Sequence, residues 1–163
     1  MLIFTDASFS RKPPISGCGA VILDKNNKET HISASSRKCK NNNIAEVLSV
    51  AIALDYINRN EEQFKDEKTI TIVTDSKYVI DHLNQHIYNN EYEQELYDYI
   101  NICRCQMNIN FFHIKGHVHD GTKFSYYNDL ADLIAGEKRL EELEKYNKEN
   151  NTILIKNKKN KSK

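Results

Sequence analysis

Two aspartates stand at the ends of apolar, β-rich runs: Asp6 after Leu2-Ile3-Phe4-Thr5, and Asp75 after Ile70-Thr71-Ile72-Val73-Thr74. Such a run ending on an acid reads as a buried strand that delivers a carboxylate to the edge of a sheet. A single instance is more often a strand followed by an Asx turn; the repetition favours delivery. Two strand-tip aspartates lie side by side only if their strands are neighbours, and their repulsion is costly unless a cation sits between them. Glu46 near the start of a helix and Asp129 or Asp132 near the start of another would complete a set of hard oxygen donors. That set suits Mg²⁺, which takes carboxylates and keeps waters for a phosphate substrate. Two such ions can activate water and stabilise a leaving oxygen in phosphodiester cleavage. Zinc would want His/Cys sets instead.

The elements that must position these acids follow from periodicity and turn signals. Arg11-Lys12-Pro13-Pro14 marks a turn, Gly17 to Leu23 a second strand, Asp24 to Lys28 a hairpin turn and Thr30 to Ser36 a third strand. Short turns make these three an antiparallel meander, since parallel neighbours need a longer crossover. Val47, Val50, Ala51, Leu54 and Ile57 recur at helical spacing behind the asparagines 41–43, which are good caps. Glu46 is assigned to the first turn of that helix, where the dipole also favours an acid. Residues 61–68 read as a charged loop. After the Asp75 strand come helices over Lys77–Leu83 and Glu91–Gln106, a strand over Asn108–Lys115 with Ile109 and Phe111 on one face, a loop over Gly116–Tyr127, and an amphipathic helix from Asn128. The order β-β-β-α-β-α-α-β-α predicts an α/β fold with helices packed on the faces of a mixed sheet.

Composition sets the class. The 163 residues are 39% hydrophobic and 28% charged, in the range of a globular domain. No apolar run approaches a membrane span and no basic signal-peptide start is present, which predicts an intracellular, cytoplasmic protein without membrane association. The four cysteines lack CxxC spacing, so reduced thiols are expected. Residues 1–148 are expected to form one domain and 149–163 a disordered Lys/Asn-rich tail; a monomer is the default. The formal net charge of zero hides an asymmetry: the five lysines after Ile155 have no balancing acid, leaving residues 1–155 at −5. A negative body is compatible with binding phosphate if metal neutralises several acids and the tail attracts the polyanion.

The ordered set FTDAS, NNNIAE, TDSKYV, HIKGH and NDLADLIA resembles the type 1 ribonuclease H family over about residues 1–140. The resemblance implies a five-stranded mixed sheet, with an antiparallel 1-2-3 meander and parallel 1-4-5 strands. It implies endonucleolytic cleavage of the RNA strand in RNA–DNA hybrids, with two Mg²⁺ ions (Mn²⁺ as a substitute), leaving 3′-hydroxyl and 5′-phosphate ends. Position by position it makes Asp6, Glu46, Asp75 and Asp132 the metal-binding carboxylates. Asp132 is preferred to Asp129 because Asn128 stands four residues before it, Ala131 just before it and Ile134-Ala135 after it; Asp129 is left to favour the helix start. His117 matches the family's loop histidine, with His119 as the other candidate. Asn42 and Asn43 match hybrid-contacting residues, Asn41 stands where the family often has a phosphate-binding Thr, and Ser76 and Asn128 join the substrate-binding set.

Two departures from the family accompany this reading. Ala7 stands where many members have Gly. Between Asp75 and His117 only Lys77, Arg104 and Lys115 are basic and Trp is absent, so the basic handle of some members is missing. Hybrid affinity is then assigned to Arg11, Lys12, Arg37, Lys38, Lys40 and the lysine tail. His82 and His86, spaced i,i+4, lack a third ligand and read as surface residues, and the tyrosines of 88–99 read as helix packing. The competing functions are another nuclease or strand transferase on the same scaffold, a nucleic-acid-binding module without activity, and a strand-tip-aspartate phosphatase, for which Ser8 stands where a second Asp is needed.

Overall fold

The computed structural model describes residues 1–83, 88–116 and 120–161, with side chains through Asn151. Strands β1 (Leu2–Arg11), β2 (Pro14–Leu23) and β3 (Glu29–Ser36) form the antiparallel meander. The β2–β3 turn is closed by Asp24, whose Oδ1 accepts the N–H groups of Asn26 and Lys28, both at 2.8 Å. Asn27 takes the left-handed φ of 58° there, a conformation asparagine tolerates better than most residues.

Helix α1 (Asn42–Arg59) and the short α2 (Glu61–Phe64) lead to β4 (Ile70–Thr74), then α3 (Lys77–His82), α4 (Glu91–Gln106), β5 (Ile109–His113) and α5 (Lys123–Lys161). The sheet order is β3-β2-β1-β4-β5, with β4 parallel to both β1 and β5. This is the five-stranded mixed sheet expected from the sequence.

Strand alternation sorts the core into two layers. On one face Ile3, Ala20, Ile22 and Ile72 meet Val47, Val50 and Leu54 of α1, with Leu96 and Ile100 of α4 outside them. On the other face Phe4, Val21 and Val73 meet Ala131 of α5. Burying one such large side chain completely contributes about 1.5–3 kcal/mol. The α5 layer depends on glycine: a Cβ on Gly19 would overlap the Ala131 carbonyl oxygen, and one on Gly17 the Ala135 carbonyl oxygen. The backbone of α5 therefore rests directly on β2.

Two expectations are corrected. The 61–68 segment contains a helical turn, α2, whose Phe64 is buried against Tyr56 with ring centroids 6.3 Å apart. Helix α5 starts at Lys123 rather than Asn128, because Phe124 and Tyr127 pack on Phe4 at 5.6 and 5.2 Å and draw an extra turn onto the sheet. Thr122 starts that turn, accepting the Ser125 N–H at 3.2 Å. The α5 backbone runs on past Lys148 to Lys161. That stretch has no Gly or Pro to stop it. All four cysteines are free thiols, and no described helix is long and apolar enough to cross a membrane.

Candidate active site

The register of the two central strands brings the aspartates together. Phe4 of β1 pairs with Val73 of β4, so Asp6 and Asp75, each two residues further on, arrive at the same level on neighbouring strands. Glu46 comes from α1. It lies in the second turn of that helix, which has no acid in its first turn, so the dipole does not account for it. Carboxylate oxygens of Asp6, Glu46 and Asp75 lie within 4.8 Å of one another. Asp6 is paired with Gly19 across β1–β2, and the contact of Gly19 with Ala131 sets the next residue of α5, Asp132, at the same place. Asp132 lines one cleft of about 360 Å³ together with Asp6, Glu46, Asp75, Asn42, Asn43, Ser76, Lys77 and Tyr78.

The electrostatics of this cluster call for a cation. Burial, then the neighbouring charges of Asp75, Asp132 and Asp129, push Asp6 up to about 8, against the opposing hydrogen bond from the Ala7 N–H at 2.7 Å. Burial, then Asp6 and Asp75, hold Glu46 well above the usual carboxylate range. Asn42 donates to Glu46 Oε1 at 3.1 Å, while Glu46 Oε2 is buried without a partner among the described residues. An orphaned buried carboxylate oxygen facing two other acids fits a hard divalent ion. The donors are all oxygen, which suits Mg²⁺ or Mn²⁺ better than zinc.

Asp75 is braced from the β5 side. The Ile114 N–H donates to the Thr74 carbonyl at 3.0 Å, and His113 Nε2 lies 3.1 Å from the Asp75 carbonyl oxygen. Any Cβ on Gly116 would collide with the Asp75 carboxylate, so only glycine lets the loop backbone come this close.

The RNase H family model matches residues 1–139. The chain belongs to the RNase H family. Membership makes it a ribonuclease H, a phosphodiester hydrolase. Among solved structures it is similar to LC11-RNase H1 isolated from compost (21% identity, TM-score 0.68, covering 87% of this chain and 96% of that one). LC11-RNase H1 is also known in complex with an RNA/DNA hybrid (22% identity, TM-score 0.67, 87% and 98% covered). Similarity extends to RNase H1 from the archaeon Halobacterium salinarum (16% identity, TM-score 0.64, 84% and 95% covered). It extends also to the prototype foamy virus protease-reverse transcriptase (20% identity, TM-score 0.70), where it covers 85% of this chain and 20% of the viral one. At these identities the likeness speaks to the RNase H fold. No curated protein matches the chain by sequence.

Within this RNase H domain the sequence-derived site residues separate into groups. Asn42, Asn43 and Ser76 line the cleft beside the acids. Asn41 caps α1, its Oδ1 accepting the Ile44 N–H at 3.0 Å, and Ser76 caps α3 through the Val79 N–H at 3.4 Å. Arg37, Lys38, Lys40, Asn41 and Asn128 are not part of the described cleft lining. Arg37 is engaged by α5, paired with Glu142 and Glu149 at 2.8 Å each and set over the Tyr146 ring. Lys38 Nζ sits over Tyr92 at 5.4 Å, and Lys40 is exposed. Asn128 is buried with its Oδ1 unpartnered among the described residues. Asp129 lies in the second turn of α5, not at its start. His117, His119 and His86 fall outside the described residues.

Three features of the site escaped sequence reasoning. The sequence reading gives His113 no role at the site, yet its ring reaches the Asp75 backbone. Gly116 adjoins Asp75 only through a tertiary contact, and Tyr78 lines the same cleft. The TDSKYV and HIKGH motifs contain all three without revealing what they touch.

Proposed function

We propose that this chain cleaves the RNA strand of RNA–DNA hybrids endonucleolytically, water adding across the P–O3′ bond to leave a 3′-hydroxyl and a 5′-phosphate. The observation that carries this reading is the convergence of Asp6, Glu46 and Asp75 within 4.8 Å, with Asp132 in the same cleft. These four acids would hold two Mg²⁺ ions, which supply an activated nucleophile and stabilisation of the leaving oxygen. The protein's own groups do the positioning: the Ala7 N–H fixes one Asp6 oxygen and the Asn42 amide one Glu46 oxygen. On the other flank His113 meets the Asp75 carbonyl oxygen, and Gly116 leaves room for the Asp75 carboxylate. Asn43, Ser76 and the free edge of Asn42 face the incoming strand, where 2′-hydroxyls distinguish RNA from DNA. His117 is assigned to water activation or product release. A cytoplasmic monomer accompanies this proposal, checked by light scattering of the purified chain and by cell fractionation.

The deciding assay incubates labelled hybrid, duplex RNA and duplex DNA with Mg²⁺ or EDTA. Cutting confined to the hybrid and to the Mg²⁺ lanes is expected; cutting of duplex DNA would point to another nuclease on this scaffold. Asp75→Asn is expected to keep the melting temperature within a few degrees. Its cleavage rate should drop by at least about a hundredfold, since removal of a group acting on developing charge costs on that order. Retained activity in this variant rejects the metal-site assignment.

A further inference from the structure

Arg139 lies on α5 seven residues beyond Asp132. Seven residues are just under two helical turns, so both side chains leave the same side of the helix, about 10 Å apart along its axis. The sheet repeats this offset. Asp6 pairs with Gly19, whose contact with Ala131 brings Asp132 to the acids. Two residues further along β1, Ser8 pairs with Gly17, and the backbone of Arg139 rests on that glycine. Asp6 and Ser8 share one face of β1, roughly 7 Å apart, and Arg139 Nε donates to Ser8 Oγ at 2.8 Å. The seating of α5 on β2 that places Asp132 therefore also places a guanidinium one step along from the acids.

That guanidinium is half-buried and has donors to spare. Arginine carries five N–H groups in a planar fork. Here Nε meets a neutral hydroxyl, and neither terminal nitrogen has a partner among the described residues. Arg37 shows the bracing use of an arginine, its fork taken by Glu142 and Glu149 of α5; no described acid takes the fork of Arg139. A partly desolvated guanidinium with both terminal nitrogens open suits an anion that accepts two parallel N–H bonds, as a phosphate does. Held at Ser8, the fork stands away from the phosphate at the acids and their ions and meets a neighbouring one instead. Contacts of this kind set the register of a strand without reading its sequence.

We propose that Arg139 binds a phosphate of the RNA strand flanking the one that is cut, and that Ser8 is the positioning residue that orients its fork. The proposal rests on the hybrid-cleaving reading above.

The test compares the full chain with Arg139→Gln, Arg139→Lys and Ser8→Ala in steady-state cleavage of a labelled hybrid with Mg²⁺. Arg139→Gln is expected to raise KM about tenfold, the worth of one hydrogen bond between charged groups. Its kcat should stay within about twofold, the signature of weakened uniform binding. Arg139→Lys keeps the charge without the fork and should recover part of the loss. Ser8→Ala should raise KM less than Arg139→Gln does, and the two combined should be no worse than Arg139→Gln alone. With Asp75→Asn added to prevent turnover, Arg139→Gln should lower the salt slope of hybrid binding by roughly 0.7–0.9, the share of one phosphate. The decisive arm places a single uncharged methylphosphonate, on a deoxynucleotide, at successive linkages of the RNA strand. One linkage flanking the cut should slow the wild-type chain and leave Arg139→Gln indifferent. Equal sensitivity of both at every linkage overturns the proposal. So does a fall in kcat or a raised Mg²⁺ requirement at unchanged KM, which would make Arg139 only a brace for α5. If Arg139→Gln does not fold, Arg139→Lys decides through the same scan. A wild-type chain that cuts no hybrid would instead reject the hydrolytic reading, while the salt slope of binding would still report on Arg139.

Discussion

Asp6 and Glu46 are each buried beside other acids, and their protonation couples folding to pH. Asp6 rises from an ordinary 3.8 to about 8 in the folded chain, chiefly through burial and then through Asp75. A group whose folded value is raised contributes stability below its unfolded value and loses it as pH climbs through the folded one. The metal-free protein should therefore melt at progressively lower temperature between about pH 4 and pH 8, and Glu46, raised in the same direction, reinforces the trend. Saturating Mg²⁺ should restore most of the loss at pH 8, because an ion that binds only the folded, deprotonated cluster stabilises it by mass action. Thermal melts across this window with Mg²⁺ and with EDTA are the measurement, and a metal-free melting temperature that rises toward pH 8 contradicts the assignment. Tyr97 is a simpler case. It is completely buried in α4 and its hydroxyl has no partner among the described residues, a situation that costs about 1–3 kcal/mol for a buried polar group. Tyr97→Phe should leave cleavage unchanged and raise stability by about 1 kcal/mol in denaturant titrations.

At the scale of elements, the site is a meeting of β1, β4, α1 and α5, and the seating of α5 on β2 is its most exposed dependency. Gly17 and Gly19 allow backbone-to-backbone contact with α5, and Arg139 adds a 2.8 Å hydrogen bond from its Nε to Ser8. A β-branched side chain at residue 19 must displace Ala131, and Asp132 moves with it. Gly19→Val should cost about 1–3 kcal/mol of stability, as overpacking does. It should also lower cleavage at saturating Mg²⁺ by at least about tenfold, since misplacement of about 1 Å at a reacting centre can cost a hundredfold. A variant as active as wild type would show that α5 need not sit so close. Further along the same helix, the pairs of Arg37 with Glu142 and Glu149 strap α5 to the end of β3. Exposed pairs of this kind contribute only about 0.2–1 kcal/mol each, so they orient the helix more than they stabilise the fold.

For the whole molecule the question is how a chain of formal net charge zero holds a polyanion. The acids of the cleft repel phosphate until metal neutralises them. Arg37, one of the basic residues assigned to substrate, is already committed to α5. The five lysines after Ile155 are then the largest cluster of positive charge in the sequence, most of them within the last turns of α5. Deleting residues 156–163 should weaken hybrid binding and flatten its dependence on salt, by a slope of roughly 0.7–0.9 for each phosphate that the tail neutralises. Fluorescence anisotropy over a salt series, in Asp75→Asn to prevent turnover, measures it. A slope identical to that of the full-length chain removes the tail from substrate binding.

Much of this was legible in the sequence because it is local. Apolar runs ending in Asp6 and Asp75, asparagines before Glu46 and a helical repeat around Asp132 each depend on neighbours a few residues away, and the ordering of those pieces was enough to indicate the sheet and its acids. What remained hidden depends on residues distant in the chain. Phe124 and Tyr127 lengthen α5 only because Phe4 is there to receive them, and His113 meets Asp75 because β5 lies beside β4. Buried Glu93 accepts the hydroxyl of Tyr78 because α3 and α4 come together there. Periodicity records which face a residue is on. Which partner waits on that face is decided only when the chain closes on itself.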